Sequence, residues 1–342
     1  MKKISLFLAL FLLLFVTFGQ IPQGYYSAAE GKKQTELKIA LSQIISNGYV
    51  QRTYDDLWKD FKTTDVRPDG KVWDMYSNCN FTFVSSQCGN YKGVCDCYNR
   101  EHSLPKSWFS ENPPMYSDLF HLYPTDGYTN GKRSNYPFGE VGSTTWTGNN
   151  GGKLGKSSFS GYTGTAFEPA DEYKGDFART YFYMCTRYLD KNLANAEGKY
   201  VFSYNNSTCE LTDYAIALFL KWHRNDPVSE KEINRNNAVY NIQKNRNPFI
   251  DYPELVEYIW GNRQDESFQL TIPPPPPHPI KITKCNGIYI EGVAPDSIIE
   301  IYTITGQIIY SAPFKDDFIS LEHLRQGVYI IKIDGYTEKI VW

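Results

Sequence analysis

The sequence predicts an α+β domain followed, behind a proline spacer, by a small all-β module. Three observations carry that expectation. Several stretches between residues 34 and 243 place apolar residues at helical spacing. Segments rich in aromatics, Gly, Asn and Cys lie between them and read as short strands and turns. Finally, Pro273 to Pro277 cut off a tail rich in Ile and Tyr. Five consecutive prolines can neither pair in a sheet nor continue a helix, so they make a stiff, extended spacer.

In chain order, Lys2 and Lys3 precede the apolar run from Leu6 to Phe18, and Gly19 supplies a small residue for cleavage. This is the layout of a secretory signal peptide over residues 1–19, and the run is short for a membrane span. No other segment approaches spanning length, so the mature chain is expected to carry no integral membrane segment. Gln34 to Ser46 sets Leu37, Ala40, Leu41, Ile44 and Ile45 on a helix that Asn47-Gly48 stops. Tyr54 to Trp58 reads as a second, short helix, and residues 70–98 as short strands and turns. Thr144 to Thr165, rich in Gly, Ser, Thr and Asn, reads as a long exposed loop. Helices are then expected over Phe177 to Leu189, over Leu211 to His223 with Asp226-Pro227 behind it, and over Ser229 to Gln243. The last has Glu230 and Glu232 in its first turn, where the helix dipole favours them. The large domain thus covers 20–270 and the linker 271–279. In 280–342, Ile288-Tyr289-Ile290-Glu291, Ile298 to Tyr302, Gln307 to Tyr310 and Val328 to Ile333 are strand-like. Thr305-Gly306 and Gln326-Gly327 mark turns among them.

The chain carries 35 basic and 38 acidic residues. Phosphate neutralisation drives nucleic-acid coating, so this balance argues against a protein that coats a polymer. An enzyme needs only a local basic groove. Among seven cysteines, Cys79, Cys88, Cys95 and Cys97 cluster, Cys185 and Cys209 lie farther on, and Cys285 stands apart. In an exported chain disulfides are the default, and four clustered cysteines allow three pairings. A zinc site is the alternative, without paired CxxC spacing to support it. Cys285 is the expected odd thiol.

The chemistry concentrates in Asn99-Arg100-Glu101-His102-Ser103-Leu104-Pro105 and the stretch from Phe120 to Asn135. Together they bring a carboxylate, two imidazoles and a carboxamide into one short segment. Phosphodiester hydrolysis needs an activated water, charge relief on the phosphoryl oxygens and stabilisation of the departing oxygen. A histidine titrating near neutrality suits the first role. A hard divalent ion that keeps several waters suits the others, held by a sparse oxygen shell. Glu101, His102 and Asn130 supply that set. Adjacent strand residues point to opposite faces, so use of both Glu101 and His102 implies some local irregularity.

The motifs Asn99-Arg100-Glu101-His102 with Pro105-Lys106-Ser107-Trp108-Phe109, Asp118-Leu119 with His121-Leu122, Pro124-Thr125-Asp126-Gly127 and Asn130 to Glu140 resemble the bacterial endonuclease I family, which belongs to the His-Me finger (ββα-metal) nucleases. Similarity continues through Phe167-Glu168-Pro169, Gly175 to Arg179, Trp222 to Ser229 and Asn245 to Glu254. The resemblance implies a strand or loop bearing Glu101 and His102, a second strand near His121, and a short helix entered at Thr129-Asn130. It implies His102 as general base and Glu101 and Asn130 as ligands of one Mg²⁺, with Ca²⁺ or Mn²⁺ as substitutes. Asn135 competes with Asn130 as the amide ligand. His121 and Asn135 are otherwise expected to support the site. Lys106, Arg133, Arg179 and Arg246, with Arg235, are candidates for the substrate groove, against the alternative of ordinary surface charge. The expected substrate is DNA, RNA or both, with 5′-phosphate products.

In the tail, Ile299 to Gln307, Leu324 to Tyr329 and Glu338 to Trp342 resemble the C-terminal sorting domain of the type IX secretion system. This implies the secretion machinery as a partner, with release from or attachment to the outer surface; separately, the chain is expected to be a monomer. A carbohydrate- or protein-binding β-module is the alternative for the tail. For the whole chain, the alternatives are a zinc hydrolase and a Tyr-rich surface-binding protein with a degenerate motif.

Overall fold

In the computed structural model the structure describes residues 21–270 and, beyond them, 281–284, 287–291, 293, 297–315, 318–320, 327–333 and 336–341. The expected signal peptide, the proline spacer and Cys285 lie outside the described residues. Chain contacts divide at Leu270/Thr271 into two compact units.

The first unit is built around helices. Its elements are α1 (Gln34–Ser46), α2 (Leu57–Thr64), β1 (Tyr98–His102), β2 (Leu122–Asp126), α3 (Gly127–Arg133), β3 (Val141–Thr147), β4 (Lys153–Ser157) and β5 (Thr165–Glu168). Then follow α4 (Lys174–Arg187), β6 (Phe202–Asn205), β7 (Thr208–Leu211), α5 (Asp213–Asn225), α6 (Glu230–Gln243), α7 (Pro248–Asp251) and α8 (Leu255–Ile259). α4 is the axis. Gly175 through Thr186 are all buried, including the charged Asp176 and Arg179. A helix buried on every side is a core element rather than an amphipathic surface one, and the four-residue stripe of Phe177, Tyr181, Met184 and Tyr188 understates it. α6 opens with a capping box: Ser229 Oγ accepts the Glu232 N–H, and the Glu232 carboxylate accepts the Ser229 N–H.

Two expectations are corrected. Residues 54–58 are not a helix in themselves; the helix begins at Leu57 and runs on to Thr64. Thr144 to Thr165 is not a loop: β3, β4 and β5 form an antiparallel sheet in the order β3-β4-β5. Its hairpin closes through Gly148 N–H to the Gly152 carbonyl at 2.7 Å. Gly155, which reads as a loop signal, is where β4 presses against β3, since a Cβ there would run into the Ser143 carbonyl. Four of the seven β3 residues in succession are exposed, so apolar alternation is absent from that strand.

The second unit is all-β. β8 (Lys281–Lys284), β9 (Ile288–Glu291), β10 (Ile298–Thr303), β11 (Ile308–Pro313), β12 (Phe318–Ile319), β13 (Val328–Ile333) and β14 (Tyr336–Val341) form two antiparallel sheets, ordered β11-β10-β13-β14 and β12-β9-β8. Ile288, Ile290, Ile299, Ile301, Ile331, Ile333 and Ile340 from both sheets share one buried cluster.

Candidate active site

β1, β2 and α3 place the chemistry. β1 and β2 pair antiparallel in unbroken register, from Tyr98 opposite Asp126 to His102 opposite Leu122. The irregularity anticipated at Glu101-His102 is therefore not present, and side chains alternate as a regular strand requires. Asn99 and Glu101 turn to α3, while Arg100 and His102 turn to Tyr54. Asp126 ends β2 and caps α3, its Oδ1 accepting the Thr129 N–H at 2.7 Å. On α3, Asn130 Nδ2 donates to Asn99 Oδ1 at 2.8 Å, and Arg133 Nη1 stands 3.1 Å from Glu101 Oε1. Three residues of helix rise roughly 4.5 Å and two of strand about 6.6 Å, so two cross-pairs align with only side-chain length to make up the difference.

Glu101 is 3% exposed and Arg133 is 1% exposed. A buried carboxylate requires a partner and hydrogen bonds. Arg133 supplies the charge, and the Tyr76 hydroxyl donates to the same Oε1 at 2.9 Å. The guanidinium also donates to the carbonyls of His102 and Ser103, tying the end of β1 to α3. Burial pushes the Glu101 carboxyl up to about 7, against the pull of Arg133. A carboxyl raised in this way gains from any further cation brought to it.

On the other face, the His102 ring lies near-parallel to Tyr54 at 5.6 Å and also packs against Tyr116, Phe109 and His121. Its Nε2 is 3.0 Å from the Tyr116 carbonyl. A carbonyl only accepts, so Nε2 carries the proton and Nδ1 holds the free lone pair. Burial, with the neighbouring His121, holds the His102 pKa well below its ordinary value, so the ring is neutral at pH 7. His121 is fully buried; its Nε2 donates to the Met115 carbonyl at 2.6 Å, and its Nδ1 has no hydrogen-bond partner among the described residues. It packs beneath His102.

Of the expected groove residues, the arginines are buried in ion pairs. Arg133 holds Glu101. Arg179, on α4, is 0% exposed and grips Glu232 with Nε–Oε1 at 2.5 Å and Nη2–Oε2 at 2.7 Å. Arg246 pairs in the same two-pronged way with Asp251, and Arg235 with Asp65, both out of solvent. These guanidiniums are paired with carboxylates and buried away from solvent. Lys106 differs: its side chain is 47% exposed, pairs with the exposed Glu111 and stands over the Tyr116 ring. Asn135 lies beyond the end of α3 and is exposed, away from the β1-facing contact that Asn130 makes. Sequence reasoning missed Tyr76, Asn99 and the Tyr116 carbonyl. Asn99 could have been found, because it stands two residues before Glu101 on one strand face. Tyr76 carries no local signal.

The donor set fits a hard divalent ion. Both side-chain donors on Glu101 converge on Oε1, which leaves Oε2 as the oxygen able to face a cation. The Asn130 amide nitrogen is spent on Asn99, so its carbonyl oxygen is the end turned elsewhere. One carboxylate and one amide suit an ion that keeps waters. A zinc centre does not fit: Cys79 bonds to Cys95 and Cys88 to Cys97, and no group of three His, Cys, Asp or Glu able to hold a metal exists among the described residues. Cys185 and Cys209 are buried thiols.

β1, β2 and α3 thus bring one carboxylate, one carboxamide and one neutral imidazole together, consistent with the ββα-metal element that the resemblance implies. Residues 33–254 match the family model for Endonuclease I, and the chain belongs to that family. It is a nuclease. The extracellular ribonuclease of Bacillus amyloliquefaciens is 34% identical over 247 residues, covering 69% of this chain and 78% of the relative. The extracellular ribonuclease of Bacillus subtilis (strain 168) is 34% identical over 249 residues, with the same coverage. The Endonuclease-1 of Buchnera aphidicola subsp. Baizongia pistaciae (strain Bp) is 31% identical over 134 residues, covering 39% of this chain and 46% of that protein. Among the described residues no helix is long and apolar enough to cross a membrane.

Proposed function

We propose that the protein is a secreted endonuclease that hydrolyses phosphodiester bonds with His102 as general base and one divalent cation, Mg²⁺ by preference, held by Glu101 and Asn130. The observation that carries this reading is the tautomer of His102. With Nε2–H committed to the Tyr116 carbonyl, Nδ1 is the basic atom, and burial keeps it unprotonated at neutral pH. A neutral imidazole with one lone pair free takes a proton from water as that water attacks phosphorus. His102 is the last paired residue of β1, so a phosphate laid across the strand end meets the Glu101 face and the His102 face together. When bound, the cation relieves charge on the phosphoryl oxygens and on the departing oxygen. Arg133 keeps Glu101 in place, and Asn99 aims the Asn130 amide. Lys106 is an exposed cation available to the polymer. Attack with departure of the 3′ oxygen leaves 5′-phosphates.

Two relatives that each cover 69% of the chain are named as ribonucleases, which favours RNA among the substrates, with DNA beside it. Their extracellular location and the N-terminal apolar run support export. The tail, by its resemblance to type IX sorting domains, is the export address. Deleting 271–342 is expected to leave hydrolysis intact and to stop release from the cell.

The test is plasmid DNA and RNA incubated with the purified protein in Mg²⁺ or EDTA, wild type beside His102→Ala. General-base removal is expected to cost roughly 10²–10⁴-fold. Cleavage that persists in the variant, or in EDTA, refutes the mechanism. No cleavage by folded wild type returns the surface-binding alternative.

A further inference from the structure

The loop just before β1 carries Tyr91, whose ring lies on α3. A Cβ built at Gly127 would stand 2.5 Å from Tyr91 Cδ1, and one built at Gly131 would stand 2.5 Å from the Tyr91 hydroxyl oxygen and 3.2 Å from Cε2. Gly127 and Gly131 are four residues apart, so they share one helix face and form a notch that the aromatic ring fills. Neither has a positive φ, so the absent side chain, rather than unusual backbone, is what the position requires.

The same loop is wired to the start of α3 by its backbone. The Cys95 N–H donates to Asp126 Oδ2 at 2.8 Å, while Asp126 Oδ1 caps the helix. The Gly127 N–H donates to the Cys97 carbonyl at 2.9 Å. Two disulfides, Cys79–Cys95 and Cys88–Cys97, bracket Tyr91 and fix where its segment runs. α3 itself has only seven residues, too few to hold its own register in isolation. A second face, roughly a third of a turn round the helix, carries Asn130 and Arg133, which meet Asn99 and Glu101 on β1.

We propose that Tyr91 is a positioning residue of the metal centre: seated in the Gly127/Gly131 notch, it presses α3 onto β1 so that Asn130 and Arg133 engage Asn99 and Glu101. It touches neither substrate nor metal. The inference rests on the reading of Glu101 and Asn130 as cation ligands.

The experiment compares wild type, Gly131→Ala, Tyr91→Phe and the Tyr91→Phe/Gly131→Ala double variant in the full chain. Gly to Ala inside a helix ordinarily stabilises it, so a helix-only role for Gly131 predicts unchanged or slower opening of α3. The proposal predicts the reverse: hydrogen exchange of the 127–133 amides speeds up in Gly131→Ala. Mn²⁺ binding to the metal-free protein, read by calorimetry, weakens about tenfold, a shift of about 1.4 kcal/mol. Removing the hydroxyl removes the 2.5 Å conflict, so the double variant recovers most of the Mn²⁺ affinity, and Tyr91→Phe alone stays close to wild type. A Gly131→Ala protein that binds Mn²⁺ like a normally binding wild type overturns the role of Tyr91 alone, as does a double variant no better than Gly131→Ala. A folded wild type that binds no Mn²⁺ takes down the metal reading and this inference with it.

Discussion

Arg179→Met separates the structural reading of this arginine from the groove reading. From the axial helix α4 the guanidinium makes two hydrogen bonds to Glu232 on α6 and a third, at 2.8 Å, to the Asp226 carbonyl between α5 and α6. Methionine keeps the stem volume and removes the charge, so Glu232 stays buried inside the capping box of α6 without its counter-ion. Breaking a buried pair from one side costs roughly 3–5 kcal/mol. At about 2–4 °C per kcal/mol for a domain of this size, the melting temperature should fall by roughly 6–20 °C. The pH dependence has a definite sign. Burial and the nearby Asp176 already raise the Glu232 carboxyl, and Arg179 pulls it down. Without Arg179 the carboxyl rises further. A raised folded pKa contributes stability at low pH that is lost as pH rises through it, so the deficit should be largest at pH 8 and shrink toward pH 5. Adding Glu232→Gln should recover part of the loss, since the uncompensated charge is gone. The assay is urea unfolding of the full protein at both pH values, following the midpoint at constant slope. A loss within about 0.5 kcal/mol, typical of surface substitutions, together with a weaker affinity for nucleic acid, would refute the argument and restore Arg179 to the groove.

Ser229→Ala removes the N-cap of α6, whose Oγ accepts the Glu232 N–H at 3.3 Å; about 1 kcal/mol of stability should go, and an unchanged urea midpoint would deny the cap a role. Replacing Cys79 and Cys95 together by serine opens a 16-residue separation, worth about 3 kcal/mol on loop entropy; calorimetry of the oxidised proteins checks it, and a loss below about 1 kcal/mol would show the loop is held by other contacts. His223 is buried with its pKa pushed down to about 4 by burial and Arg179. The unfolded ring titrates near 6.5, so its neutral state supports folding above that value, and the support drains away as pH falls toward 4. His223→Gln should therefore gain relative to wild type between pH 7 and pH 4, and a pH-independent difference in midpoint would contradict the burial.

The helices α1, α5 and α6 were legible because periodic apolar residues and stop signals coincide in them; α1 ends where Asn47-Gly48 says it should. α4 was legible as a helix and not as the axis, because tyrosine and threonine on its far side disguise burial that only tertiary packing creates. The same blindness explains the arginines. A sequence shows a cation, and a phosphate is the natural partner to imagine, but Glu232, Asp251 and Glu101 lie 53, 5 and 32 residues away in the chain and claim them first. The β3-β4-β5 sheet escaped because its outer strand is solvated on both sides and its glycine serves contact rather than flexibility. At the site, Glu101, His102 and Asn130 stand on one strand and the helix that packs against it. The tautomer of His102 depends on the backbone of Tyr116, and no side-chain pattern advertises a carbonyl.

The two units keep separate apolar interiors, one crowded with tyrosine, phenylalanine and tryptophan, the other made almost wholly of isoleucine. Mutational load is therefore partitioned. Substitutions among the buried isoleucines of the tail fall in a cluster that shares no member with the one that supports Glu101 and His102. Substitutions that alter the tail and substitutions that alter the nuclease body therefore act on different hydrophobic cores.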